Sequence, residues 1–361
     1  MRVLHVINNL ATGGAEKLVT DTVPLYNSRG IQTDVLLLNG AQTPFLERLK
    51  ASGCTVFNVG MGSIYNPLLT FKIMPYLKRY DLVHVHLFPA QYWVASSKRL
   101  SLSKVKLVYT EHNTSSRRMR KMAFRVIDPV IYRSYKKIVC IARDVLVSLK
   151  SHINIPDEKI VLIHNGVDIQ KIQDARSLPK ADFFSGDNVQ LLLQVSSFQG
   201  AKDQPTLIRA LQHLPETIKL MLAGDGYRKE ECTALAKELG LSHRVLFLGI
   251  RMDIPQLLKT ADIVVLSSKY EGLSLSSIEG MAAGKPFIAS DVPGLTDIVG
   301  GAGILFPFED DRQLALEIKK LFDDKNYYNH IAQECIVRAS KYDINIMVNK
   351  HIEIYNTLLK E

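Results

Sequence analysis

The sequence concentrates residues that could do chemistry in one segment, SSKYEGLSLSSIEGMAAGKP at positions 267–286. An apolar run that predicts a buried strand precedes it, and a helix is predicted to begin near Ser274–Ser277. Free backbone amides at the start of such a helix can bind phosphate. Two carboxylates, Glu271 and Glu279, lie eight positions apart in the same segment.

The spacing of these glutamates bears on the kind of chemistry. Glycosidase carboxylates stand roughly 5–9.5 Å apart, whereas eight residues of continuous helix span about 12 Å. This argues against a glycosidase pair. Glu279, about one turn into the helix, is placed to accept hydrogen bonds from ribose hydroxyls, and Glu271 in the loop lies nearer to any sugar.

Two further loops could bind an anion. Gly13 and Gly14 follow the first predicted strand, where glycine lets a ligand approach the backbone and the helix behind it favours an anion. Their spacing is not Gly-x-Gly-x-x-Gly, which disfavours a nicotinamide cofactor. Lys202 follows the first predicted strand of the second half of the chain. Ligands bind beyond the carboxyl ends of strands in open α/β sheets, so both loops are candidate sites.

Histidines and cysteines provide no evident metal framework. His84 and His86 lie two apart on a predicted strand, so their rings share one face, but no third ligand is evident nearby. His112 follows the predicted strand Val105–Tyr109 and lies at its carboxyl end. The four cysteines are far apart, without Cys-x-x-Cys or zinc-like spacing. We expect no metal site.

Short Val/Ile/Leu-rich runs alternate with helical stretches through almost the whole chain, which predicts parallel strands buried on both faces. With 47% hydrophobic and 22% charged residues, the chain is globular and not disordered. The pattern occurs twice, so we predict an α/β fold of two doubly wound domains. The turn signal NGVD at 165–168 and the aperiodic stretch 169–188 mark the boundary between them.

Charge is unevenly distributed. Residues 1–165 carry 23 Lys and Arg against 10 Asp and Glu, a net +13, whereas residues 166–361 carry 22 against 26, a net −4. Between Lys98 and Lys137 there are twelve basic residues and two acidic ones. Nucleic acid, anionic lipid or a phosphorylated substrate would suit this sign. Nucleic-acid binding is disfavoured because the basic stretch contains no recognisable nucleic-acid-binding motif.

Neither a signal peptide nor an apolar run of about 18–20 residues is found. We therefore expect a cytoplasmic protein, with the basic stretch 98–137 as a surface that could dock on the inner face of the cell membrane.

In combination these segments resemble the retaining glycosyltransferases of family 4, the group 1 set, over essentially the whole chain. The motifs are GGAE at 13–16, TEH at 110–112, NGVD at 165–168, LAGDG at 222–226, FLG at 247–249, and the two glutamates with GMAAGKP after the second. The resemblance implies the GT-B fold, in which two Rossmann-like domains face a cleft. It implies an acceptor-side domain at 1–165, a nucleotide-sugar-binding domain at 166–341, and a C-terminal helix at about 342–361 that packs back on the first domain.

The resemblance also implies an activity. A sugar would move from a nucleotide diphosphate sugar, with UDP favoured, to a glycan or polyprenyl-linked glycan in surface polysaccharide biosynthesis, and the anomeric configuration would be retained. No cofactor and no metal are expected. The implied catalytic residues are His112 and Glu271. The implied donor-binding residues are Gly13, Gly14, Ser197, Lys202, Arg251, Gly272, Leu273, Ser274, Leu275 and Glu279.

One position departs from the family pattern. The family places an arginine five residues before the phosphate-binding lysine, and Ser197 stands there in this sequence. Lys202 therefore lacks its usual companion, and Arg251 is a candidate to replace it. Two other functions stay open on the sequence alone. One is a sugar-nucleotide epimerase of the same fold, which needs no acceptor. The other is a two-domain solute-binding protein without catalysis.

Overall fold

The computed structural model describes residues 1–112 and 122–361, which divide into two compact units. One unit consists of Met1–Gly166 together with Ile344–Glu361, and the other of Val167–Asp343. Each is built on its own parallel sheet, as the alternating apolar runs predict. The predicted α/β fold with two doubly wound Rossmann-like domains is confirmed.

The first unit has a seven-stranded sheet. Its strands are β1 (Arg2–Ile7), β2 (Gln32–Leu37), β3 (Val56–Asn58), β4 (Leu82–His86), β5 (Lys106–Glu111), β6 (Lys137–Cys140) and β7 (Ile160–Leu162). They are arranged in the order β3-β2-β1-β4-β5-β6-β7, all parallel. The described helices between them are α1 (Gly14–Ser28), α2 (Pro44–Ala51), α3 (Leu69–Leu77), α4 (Ala90–Leu100), α5 (Met122–Arg133) and α6 (Arg143–His152), with a short 3₁₀ turn at Asp157–Lys159.

The second unit has a six-stranded sheet. Its strands are β8 (Gln190–Val195), β9 (Ile218–Ala223), β10 (Val245–Gly249), β11 (Ile263–Leu266), β12 (Phe287–Ser290) and β13 (Ile304–Phe306). They run parallel in the order β10-β9-β8-β11-β12-β13. The helices are α7 (Ile169–Gln173), α8 (Gln204–Ala210), α9 (Lys229–Glu238), α10 (Ile254–Thr260), α11 (Leu275–Ala282), α12 (Thr296–Val299), α13 (Asp311–Asp323) and α14 (Lys325–Ser340), with 3₁₀ turns at Lys180–Asp182 and Leu211–His213.

The strand order of each sheet reverses next to its first strand. In the first sheet β1 lies between β2 and β4, and in the second β8 lies between β9 and β11. The loops that leave the carboxyl ends of these neighbouring strands diverge to opposite faces, which leaves a crevice for a ligand. Among the described residues, no helix is both long and apolar enough to cross a membrane.

The last helix, α15 (Ile344–Lys360), belongs to the first unit. Oη of Tyr355 lies 2.5 Å from Nδ1 of His84 on β4, and Nδ1 of His351 lies 2.8 Å from Oη of Tyr26 on α1. Polar contacts therefore hold this helix to the interior of the unit, in addition to its buried apolar side chains Met347, Val348 and Leu358.

Five histidine rings line one cavity in the first unit. His351 comes from α15 itself, and the others are His5, His84, His86 and His112. Burial lowers the pKa of His5 and of His112 to about 3, and that of His351 to about 4. Burial and the neighbouring histidines hold the pKa values of His84 and His86 well below the ordinary range. The rings are therefore neutral in the folded protein at neutral pH, since desolvation disfavours imidazolium.

These lowered pKa values predict a loss of stability in mild acid. An unfolded histidine has a pKa of about 6.5, so below that pH the unfolded chain binds protons that the folded chain does not. The stability is fully present above about pH 6.5 and is lost as the pH falls toward the folded pKa values. Each such histidine can cost up to about 1.4 kcal/mol of unfolding free energy per pH unit.

We expect Tm to fall steeply between about pH 6.5 and 4.5, and His351→Phe to show a shallower fall because it has one such histidine fewer. His330→Phe, which changes an exposed side chain of α14, is the matched control and should keep the wild-type slope. Differential scanning calorimetry over this pH range measures the effect. A flat Tm, or equal slopes in wild type and His351→Phe, would contradict the assignment of neutral buried rings.

Candidate functional site

An ion pair lies at the carboxyl edge of the second sheet. The ammonium of Lys202, in the loop after β8, contacts Oε1 of Glu271, in the loop after β11. Oγ of Ser268 donates a hydrogen bond to the same oxygen at 2.6 Å. The side chains of Lys202 and Glu271 are 16% and 11% exposed, so both charges are close to the surface yet largely covered. The structure thus brings together two residues that the sequence placed 69 positions apart.

Backbone contacts hold the two loops in place. The amide of Lys269 donates to the carbonyl of Ala201 at 2.8 Å, and the amide of Asp203 donates to the carbonyl of Ser267 at 3.0 Å. Oγ of Ser267 also donates to the Asp203 carboxylate at 2.8 Å. The ion pair therefore joins two loops that are also hydrogen-bonded to each other.

Three glycines allow the loops at this edge to approach one another. Gly224 has φ +139°, and a Cβ there would lie 2.0 Å from the carbonyl oxygen of Ser196. A Cβ at Gly226 would lie 2.4 Å from the carbonyl oxygen of Phe198. Gly294, with φ +84°, would place a Cβ 2.2 Å from the carbonyl oxygen of Glu271. A side chain at any of these positions would force apart the loops that carry the site.

Helix α11 begins beside the ion pair. Ser274 is its N-cap, and Oγ of Ser274 accepts a hydrogen bond from the amide of Ser277 at 3.3 Å. The amides of Leu275 and Ser276, at the first two helical positions, have no acceptor within the helix. Leu273 is buried, and a Cβ at Gly272 would meet nothing within 4 Å. Glu279 lies four residues into the helix and is 7% exposed. This end of the helix offers hydrogen-bond donors beside open space.

The position of the missing arginine is occupied by a neutral residue. The carbonyl oxygen of Ser197 accepts a hydrogen bond from Nε2 of Gln204 at 3.0 Å. Arg251, after β10, forms two hydrogen bonds with the carboxylate of Asp253, at 2.8 and 2.5 Å. This pairing raises the pKa of Arg251 and lowers the pKa of Asp253. Arg251 is thus held by its own loop.

Arg228 is a further cation at this edge, and the sequence pattern does not predict it. Its Nη1 donates to the carbonyl oxygen of Lys202 at 3.2 Å, and its other nitrogens donate to Glu231 at 2.8 and 2.6 Å. Hydrogen bonding to Glu231 raises the pKa of Arg228. Arg228 lies 26 positions from Lys202, and no motif spacing connects the two.

At the carboxyl edge of the first sheet, Gly13 is the N-cap of α1 and Gly14 its first residue. The carboxyl group of Glu16 folds back over Gly13, so that a Cβ there would lie 2.2 Å from Oε2 of Glu16. Burial raises the pKa of Glu16. The two glycines therefore leave room for the side chain of the glutamate that follows them in the GGAE motif.

His112 lies at the same edge, directly after β5. Its Nε2 is 3.2 Å from Nδ1 of His86, and Nε2 of His86 is 3.0 Å from Nδ1 of His5. The sequence pattern indicates His84, His86 and His112 as candidates but not His5 or His351. His5 lies opposite His84 in the strand register, and an isolated histidine in an apolar strand carries no signal of its own. His351 lies on the C-terminal helix α15.

The histidine cluster supplies the third nitrogen that a metal pair lacked in the sequence. Ring nitrogens of His5, His84 and His86 lie within 4.8 Å of one another. The ring of His84, however, is tilted over those of His86 and His5, at centroid distances of 4.4 and 4.9 Å. Both nitrogens of His84 are hydrogen-bonded, to Tyr355 at 2.5 Å and Thr110 at 2.6 Å. His5 and His86 are hydrogen-bonded to each other and His84 to Tyr355 and Thr110, so the three rings do not form a converging ligand set.

Two family models match the chain. Residues 12–171 match Glycosyltransferase Family 4, and residues 179–336 match Glycosyl transferases group 1. A relative from Campylobacter jejuni is 24% identical over 93% of this chain and 94% of its own length. Its name is N-acetylgalactosamine-N,N'-diacetylbacillosaminyl-diphospho-undecaprenol 4-alpha-N-acetylgalactosaminyltransferase. The lipopolysaccharide core biosynthesis glycosyltransferase LpsD of Rhizobium meliloti is 24% identical over 90% of this chain and 89% of its own length.

Solved structures share the fold. Anabaena Alr3699/HepE, crystallised in complex with UDP and glucose, has a TM-score of 0.85 at 23% identity and covers 99% of each chain. A glycosyltransferase from Rickettsia africae has a TM-score of 0.83 at 21% identity, covering 100% of this chain and 99% of that one. The named relatives are transferases, which sets aside the epimerase and solute-binding alternatives. The chain therefore belongs to the group 1 glycosyltransferases and has the GT-B fold.

Proposed function

We propose that this enzyme is a retaining glycosyltransferase that moves a sugar from a nucleotide diphosphate sugar, with a UDP-sugar favoured, to a glycan or polyprenyl-linked glycan. The process would be surface polysaccharide assembly. One observation carries the proposal: the carboxyl edge of the second sheet combines the Lys202 ammonium, the Glu271 carboxylate and the N-terminal amides of α11. The names of HepE's ligands and of the Campylobacter relative support a UDP-sugar donor and a lipid-linked acceptor.

Each part of this edge matches one part of such a donor. Lys202 would bind the diphosphate, and the amides from Leu273 to Leu275 would donate to its oxygens. Glu279 would accept hydrogen bonds from the ribose hydroxyls. Glu271 would contact hydroxyls of the donor sugar, with the open space beside Gly272 leaving room for it. Arg251, with its neighbour Ile250, would flank the base.

Arg228 would supply the positive charge that is missing at Ser197. Both arginines are paired with a carboxylate of their own segment, Glu231 and Asp253, but of the two only Arg228 also contacts the backbone of Lys202. A guanidinium beside the phosphate lysine stabilises a departing diphosphate, on which negative charge develops. No metal is then required to neutralise that charge.

The reaction would proceed on one face of the sugar. The bond between the anomeric carbon and the diphosphate oxygen breaks, and the acceptor hydroxyl oxygen bonds to the same face. The acceptor proton passes to the oxygen of the leaving phosphate. Because burial lowers the pKa of His112 to about 3, this proposed catalytic residue would take part as a neutral hydrogen-bonding group.

Nucleotide binding tests the donor site. With EDTA present, UDP at about 100 times its dissociation constant should stabilise the enzyme by about 2.7 kcal/mol. A domain of this size gains about 2–4 °C in Tm per kcal/mol. We expect Glu279→Gln to lose this shift and the exposed control Glu238→Gln to keep it. No shift with either UDP or GDP, or a shift that requires a divalent metal, would contradict the proposal.

The same titration compares the two arginines. Arg228→Gln should weaken UDP binding more than Arg251→Gln at low salt, because only Arg228 contacts the loop that carries the phosphate lysine. Uridine without phosphates should show no such difference. A larger loss in Arg251→Gln would instead assign the missing charge to Arg251.

We also propose that the enzyme is cytoplasmic and docks on the inner face of the cell membrane through the basic stretch 98–137. Residues 113–121 of this stretch lie outside the described residues. In the described part, Arg125 and Arg133 on α5 accompany the exposed apolar side chains Val126, Ile127 and Val130. Helices that lie on anionic membranes combine these two features.

Co-sedimentation with liposomes tests the docking. Vesicles of phosphatidylcholine with phosphatidylglycerol should retain the enzyme more strongly than phosphatidylcholine alone, and salt should weaken the binding. Val126→Gln should reduce the bound fraction several-fold, because its side chain is 72% exposed. Val337→Gln, an exposed apolar position on α14, is the control. Equal retention on both kinds of vesicle would contradict the proposal.

A further inference from the structure

A chain of hydrogen bonds connects three histidine rings across three neighbouring strands. His5 lies on β1, His86 on β4, and His112 directly follows β5. The chain runs from Nδ1 of His5 to Nε2 of His86 at 3.0 Å, and from Nδ1 of His86 to Nε2 of His112 at 3.2 Å. Because both nitrogens of His86 are used, its ring couples the other two.

The two hydrogen bonds between the three histidine rings must point the same way. A neutral imidazole has one N–H donor and one bare nitrogen that accepts. His86 therefore donates at one nitrogen and accepts at the other, and its choice determines the tautomers of both neighbours. Only two patterns are consistent: every ring protonated on Nδ1, or every ring protonated on Nε2.

The inner end of the chain decides between the two patterns. Nε2 of His5 is buried and has no hydrogen-bond partner among the described residues. If the rings carried their protons on Nε2, this atom would be a buried N–H without an acceptor. In the other pattern it is a bare nitrogen. Orphaned buried N–H groups are rarer in proteins than underused acceptors, so protonation on Nδ1 is favoured throughout.

We propose that His86 and His5 are positioning residues that hold His112 in the tautomer with its proton on Nδ1. Nε2 of His112 accepts from His86, and Nδ1 makes no hydrogen bond to any described residue. His112 then offers a donor at the carboxyl edge of the first sheet and cannot act as a base there. This inference rests on the proposed function only in assigning the oxygen that receives the hydrogen bond to a sugar.

Nitrogen NMR of the full chain labelled with ¹⁵N-histidine tests the tautomer without any substrate. Two-bond couplings between ring nitrogens and carbon-bound protons distinguish a protonated from a bare nitrogen. The His112 signals, assigned by their loss in His112→Gln, should show a protonated Nδ1 and a bare Nε2. A protonated Nε2 on His112 would overturn the proposal. It would leave the donor-site proposal unaffected, since UDP binding tests that separately.

A variant of His86 tests the coupling. His86→Phe removes the donor to Nε2 of His112, so the His112 signals should shift from one tautomer to a mixture. His351→Phe is the matched control, because it changes a buried histidine of the same cluster that lies outside the hydrogen-bond chain. Unchanged His112 signals in a folded His86→Phe protein would contradict the coupling.

The wild-type protein gives a second measurement. Its His86 signals should show a protonated Nδ1 and a bare Nε2, which accepts from His5. A protonated Nε2 on His86 would contradict the coupling whether or not His86→Phe folds.

Discussion

The ion pair of Lys202 with Glu271 is the contact on which the candidate donor site depends. It joins the loops after β8 and β11, which leave the sheet at its topological switch point. Because the pair is largely covered, removing either partner would leave a poorly solvated charge. On the proposed function, an incoming diphosphate takes over the ammonium, and the Glu271 carboxylate becomes available to sugar hydroxyls. On this proposal, the ion pair holds both side chains in place with charges that the substrate would use.

Much of this architecture could be predicted from local pattern. Buried parallel strands read as continuous apolar runs, and a repeated alternation with helices indicates two doubly wound sheets. The two glutamates and Lys202 are found because they follow strands at the carboxyl edge, where ligands bind in such folds. The start of α11 at Leu275 follows from the cap residue Ser274.

The contacts between distant segments could not be predicted in the same way. Periodicity identifies a strand but does not say which loop will meet it. The partners Arg228 of Lys202, His5 of His86, and Tyr26 of His351 are 26, 81 and 325 positions apart. None of these residues lies in a sequence motif that indicates its partner. They are brought together by the order of the strands in each sheet and by the packing of α15 in the first unit.

Backbone hydrogen exchange, followed by mass spectrometry with and without UDP, tests most directly that the carboxyl edge of the second sheet is the nucleotide site. We predict slower exchange on adding UDP in residues 197–203, 224–228 and 271–279, which carry the ion pair, Arg228 and the start of α11. Unchanged exchange in all three segments at saturating UDP, or protection confined to the first unit, would contradict it.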